Sequence, residues 1–136
     1  MSTWTHVAGV VRVDAIGMGM ATEVNWDDIF GKECLWEADP EVWKDADEHP
    51  EKYMPCGSEG TLQKTVWTNP EKSSMAAYTV GIFGDLRDWY DIDVIVEWFK
   101  KIVRSEDLWV RSAVITVTDG YMSKTWSTNF GEESEV

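Results

Sequence analysis

Two runs constrain the fold of this chain more than any other feature: THVAGVVRVDAI, residues 5–16, and LWVRSAVITVTD, residues 108–119. In the first, Val7, Gly9, Val11 and Val13 fall on one side of an extended backbone, and His6, Arg12 and Asp14 on the other. A period of two is the mark of a strand with one face buried. The second run is long and dense in β-branched residues, which also favours a strand. Between them GTLQKTVWT (60–68), with Leu62 and Val66 inward, and MAAYTVGIFGD (75–85) read as a hairpin closed by the NPEKSS turn.

The segment after that hairpin changes period. Ile92, Ile95, Val96, Phe99, Ile102 and Val103 make one apolar helical face. The aspartates ahead of it, Asp85, Asp88 and Asp91, could be reactive or could cap the helix. Carboxylates at a helix start accept from free N–H groups and favour the dipole, so capping is the expectation for Asp88 and Asp91. Asp85 and Arg87 are expected to pair across the turn.

Upstream, NWDDIFGKECLW (25–36) reads as a short helix capped by Asn25, with Asp27 and Asp28 in its first turn. Residues 38–60 hold three of the four prolines and no sustained period, as in a long insertion pinned by Trp43 and Tyr53. GMGM (17–20) lacks the third glycine of a dinucleotide fingerprint and reads as a turn. GYMSKTW (120–126) is consistent with a further edge strand. The order strand, helix, strand, strand, helix, strand predicts an α+β, ferredoxin-like (split βαβ) antiparallel sheet with two helices on one face. The other face would stay bare, carrying His6, Arg12, Gln63, Thr65 and Trp67. The expected organisation is a single domain over 1–131, an acidic insertion at 38–60 and a disordered acidic tail at 132–136.

Charge narrows the function. The chain of 136 residues carries a net −13. Residues 23–60 alone hold 12 acids against 3 bases. Such a field repels nucleic acid and anionic membranes and draws in basic partners. No apolar run is long enough to span a bilayer, and no basic-start signal segment is present, so a cytoplasmic location with reduced cysteines is expected.

Residue patterns for chemistry are thin. DADEHPE (45–51) fails as a calcium loop because its sixth position is Pro50 rather than glycine. Cys34, Cys56, His6 and His49 lack zinc-ligand spacing, and neither a nucleophile elbow nor a P-loop occurs. No metal, no cofactor and no catalytic residue is expected. The nine tryptophans carry a different signal. Trp4, Trp67, Trp98 and Trp109 suit core and sheet-face packing, whereas Trp26, Trp36, Trp43 and Trp89 lie in or beside acidic stretches, a mixture suited to a protein-binding surface.

WTHVAGVVRVDAI (4–16) and AAYTVGIFGDLRDWYD (76–91) resemble short accessory proteins of phages and prophages of Gram-positive bacteria. The resemblance transfers no site residue. It implies a context of host-defence inhibition, as in anti-CRISPR proteins, some of which are acidic mimics of nucleic acid. The resulting expectation is a non-enzymatic inhibitor that occupies a basic nucleic-acid groove of a defence effector. Asp39, Glu41, Asp45, Asp47, Glu48 and Glu51 would supply the charge and Trp43 the apolar anchor. Direct contact with nucleic acid or membrane is not expected, and the bare sheet face offers a route to a homodimer. The alternative is a sponge for a small nucleotide signal on the sheet face or in a dimer cleft, with Arg12 and Arg111 on phosphate and Trp67 stacking a base. A structural virion component is a third reading.

Overall fold

In a computed structural model of the chain, the described residues are 3–16, 25–34, 40–68, 78–89, 91–106 and 108–136, with the side chains at 15, 16, 40, 43 and 68 outside the description. The elements run β1 (Trp4–Ile16), α1 (Trp26–Phe30), α2 (Pro40–Glu48), a 3₁₀ turn (Pro50–Lys52), β2 (Gln63–Thr68), β3 (Tyr78–Arg87), α3 (Ile92–Val103), β4 (Leu108–Thr118), β5 (Ser123–Asn129) and β6 (Glu132–Glu135). The strands form one sheet in the order β2-β3-β1-β4-β5-β6, and every neighbouring pair is antiparallel. The expected turns at 17–20 and 69–74 and the side chain of Trp36 lie outside the described residues.

This corrects the ferredoxin-like α+β expectation. Among the described residues the fold is β-rich: a six-stranded antiparallel sheet with three short helices. Two causes separate it from the sequence-based picture. The acidic segment does not run as one long insertion loop but breaks into α2 and the 3₁₀ turn, short pieces divided by Pro50. The tail at 132–136, expected to be disordered, is instead paired with β5 through Asn129↔Glu132 to Trp126↔Glu135. Phe130 and Gly131 both have positive φ, 50° and 84°, the geometry of a two-residue hairpin turn whose twist matches the strands it joins.

Alternation decides what each sheet face carries. Val7, Val11, Val13, Val80, Ile82, Leu86, Ala113, Ile115 and Val117 point into the core with Trp126. The helix α3 covers them with Ile92, Ile95, Val96, Phe99 and Val103. Its cap is Asp91, whose side chain accepts from the Asp93 N–H at 3.0 Å. The opposite face is open and holds His6, Arg12, Gln63, Thr65 and Trp67 as the alternation predicted, joined by Val10, Phe83 and Val114.

Candidate functional site

The acidic segment starts from local chemistry. On α2, Glu41 and Glu48 are two turns apart, about 10 Å along the axis, and both are exposed, as is Asp47. Val42 and Ala46 are half-buried on the other side of the helix. Asp45 differs from its neighbours. Its Oδ2 accepts from the Tyr53 hydroxyl at 2.5 Å. That bond holds the Asp45 carboxyl below the usual range and pushes Tyr53 up to about 12. Asp45 is therefore the post that ties α2 to the segment behind it, and Tyr53 pins the insertion as the sequence suggested. Glu51 projects from the 3₁₀ turn, exposed, with His49 Nδ1 3.5 Å from its Oε1. Of the expected binding set, Glu41, Asp45 and Glu48 lie on one side of α2, Asp47 stands about 100° further round the helix, and Glu51 follows on the 3₁₀ turn. Asp39 lies outside the described residues, as does the side chain of Trp43.

The backing of this surface is bound to the sheet edge by main chain. Met54 is buried and its N–H donates to the Lys32 carbonyl at 2.8 Å. The Ser58 N–H donates to the Arg87 carbonyl, and Arg87 donates through Nη1 to Glu59 at 2.6 Å. Gly60, at φ 80°, lies so close to β3 that a Cβ would stand 2.0 Å from the Asp85 carbonyl oxygen. The expected Asp85–Arg87 pair does not form: Asp85 instead meets His6 at 2.5 Å across β1 and β3. Asp88 is not a cap either. At φ 58° it accepts from Ser58 Oγ at 2.9 Å and leaves the capping to Asp91.

The alternative sheet-face set is partly assembled. Trp67 and Arg12 both flank Thr79, so they share one cross-strand row, about 9–10 Å apart across two strand spacings. Trp67 is 53% exposed. Arg12 and Arg111, however, converge on a single carboxylate: Asp14 Oδ2 accepts from Arg111 Nε at 2.8 Å, and its Oδ1 lies 3.6 Å from Arg12 Nε. The Arg12 Nε is buried with no hydrogen-bond partner among the described residues. Phe130 covers the Arg111 guanidinium at 5.9 Å, a contact with no counterpart in the periodicity of the chain.

Cys34 and Cys56 are free thiols within hydrogen-bonding reach of each other. Burial, and then the bond to Cys34, pushes the Cys56 thiol up to about 12, so at neutral pH it is a protonated thiol and a poor nucleophile. His6 sits on the open sheet face and His49 beside the 3₁₀ turn; no cluster of three or more metal-binding side chains occurs among the described residues. Among the same residues no helix is long and apolar enough to cross a membrane.

Sequence reasoning missed the role of the last strand. Arg104 pairs bidentately with Glu133, and Lys100 meets Glu135 and Glu97 at 3.1 and 3.2 Å. Burial alone would lower the Lys100 pKa, but the bonds from Glu135 and Glu97 outweigh it and raise the value. The one available signal was the glycine at 131 following Asn129 and Phe130.

No protein-family model matches the sequence, and no curated protein does. Among solved structures the chain is similar to a phage SAM lyase in complex with S-methyl-5′-thioadenosine, with a TM-score of 0.39 and 7% identity over 96% of this chain and 88% of that one. A likeness this distant carries no argument about fold or chemistry.

Proposed function

We propose that the chain is a non-enzymatic binding protein of the phage accessory type, whose α2 and 3₁₀ surface docks into a basic groove that a host defence effector uses for nucleic acid. The observation that supports this reading is the grouping of exposed Glu41, Asp47, Glu48 and Glu51 on two short elements braced by the Asp45–Tyr53 bond. A braced carboxylate array loses little entropy on binding and presents acceptors to Arg and Lys side chains. The phage context comes from the resemblance of residues 4–16 and 76–91.

The test uses Glu41→Gln, Asp47→Asn, Glu48→Gln and Glu51→Gln together, leaving Asp45 in place because it braces the helix. Host proteins retained by the wild type at low salt should be lost by the variant and displaced by added duplex DNA or RNA. Retention of the same partner by the variant at low salt overturns the reading, as does a partner that nucleic acid fails to displace. Melting temperature should hardly change, since removing exposed like charges relieves repulsion.

A further inference from the structure

A cleft of about 630 Å³ opens between α1, the Gly31–Lys32 turn, the 3₁₀ turn, the second half of α3 and the start of β4. That volume lies within the range of small-molecule sites. Its walls carry Lys32, Lys52 and Lys101, together with Trp98 and Asp28.

The lysines stand out against the charge pattern of the whole chain. Seven of the described basic residues, Arg12, Lys64, Arg87, Lys100, Arg104, Arg111 and Lys124, form ion pairs with carboxylates. Among the described residues the bases outside such pairs are Lys32, Lys44, Lys52 and Lys101, all exposed, and three of these four line this one cleft. Lys32 and Lys52 also act at longer range on Asp45, whose carboxyl their charges help hold below the usual range, but neither closes an ion pair with it. Main-chain bonding sets two of them side by side, since the Lys32 N–H donates to the Lys52 carbonyl at 2.8 Å. Of the acids of the cleft, Asp27 is engaged by Lys64 at 2.5 Å, and Glu51 points to solvent with the His49 ring 3.5 Å away. Asp28 has no such partner among the described residues.

We infer that this cleft binds a small nucleotide. Ammonium groups of Lys32, Lys52 and Lys101 would hold its phosphate as point charges. The half-buried Trp98 indole would stack on the base, and Asp28 would accept from a ribose hydroxyl or an exocyclic amine. The site is separate from the sheet-face set of Arg12, Trp67 and Arg111, and it adjoins the acidic docking surface at the 3₁₀ turn, whose Glu51 lines the cleft.

The probes are AMP, the linear dinucleotide pApA, adenosine and inorganic phosphate, titrated calorimetrically into the full chain at low salt. AMP or pApA should bind with a Kd below about 1 mM, and Lys32→Ala and Lys101→Ala should each weaken binding by about tenfold or more. Lys44→Ala is the control, an unpaired lysine away from the cleft, and should leave affinity unchanged. Trp98→Leu should lower the preference for AMP over phosphate. No binding by the wild type, or equal weakening by Lys44→Ala, overturns the site. Phosphate binding as tightly as AMP overturns the nucleotide assignment. Circular dichroism of each variant separates loss of the fold from loss of the ligand.

Discussion

Single side chains carry unequal weight in this molecule. Phe99 is 1% exposed at the centre of the α3 face and meets Trp126 edge-on at 5.9 Å. Phe99→Ala should cost roughly 3–5 kcal/mol by denaturant titration, the sum of lost transfer energy and an unfilled cavity. The Asp45–Tyr53 bond is weaker and depends on pH in a stated direction. Asp45 is depressed in the folded state, so its contribution is present above the ordinary carboxylate pKa and is lost as acid takes the pH through the lower folded value. Tyr53 is raised to about 12, so its contribution is intact below the ordinary tyrosine value near 10 and is lost as pH climbs from there to about 12. Tyr53→Phe should therefore be slightly less stable than the wild type between about pH 5 and about pH 9, with the gap closing at both extremes. Denaturation midpoints taken within that range and beyond both of its ends check it; a gap that fails to close at either extreme would mean that the hydroxyl acts through packing. The open position of the pair keeps the effect small.

At the scale of elements, β6 repays attention because its sequence, EESE, has neither β propensity nor apolar residues. It forms because a two-residue turn delivers it to β5 and because α3 presents Lys100 and Arg104 to Glu135 and Glu133. Deleting residues 132–136 should lower the melting temperature by several degrees, since Lys100, only 8% exposed, would keep Glu97 alone as its carboxylate partner. Calorimetry on the truncated chain checks this, and an unchanged transition would show that the strand is ornamental. The elements differ in how far the sequence reveals them. Strands β1, β3 and β4 and helix α3 follow from periodicity, because burial writes itself into spacing. The fate of the tail does not: its acids are satisfied by cations about thirty residues upstream, and ion pairs at that range leave no local pattern. The acidic segment is similar. Its charge is visible in the sequence, but not the division into α2 and a 3₁₀ turn, nor the conversion of Asp45 from a binding acid into a brace. The lysine cleft was invisible for the same reason, since Lys32, Lys52 and Lys101 come from three elements.

The whole molecule is ordered around β1, the strand with β3 on one side and β4 on the other. Its partners lie far along the chain: His6 reaches Asp85 over 79 residues, and Asp14 reaches Arg111 over 97. Sheets closed by such distant pairings fold slowly, because loop-closure entropy is lost before the contacts form. Refolding by stopped-flow dilution should fall in the millisecond-to-second range, and a microsecond phase accounting for the full amplitude would contradict the topology. Time during synthesis matters as well. At roughly 5–20 residues per second, β1 leaves the ribosome on the order of ten seconds before β3 and β4 can flank it. For that interval a valine-rich strand has both edges vacant, and those edges can pair with the wrong neighbour. Yield in the cell should therefore depend on holdase chaperones and on translation speed more than on the final stability of the fold.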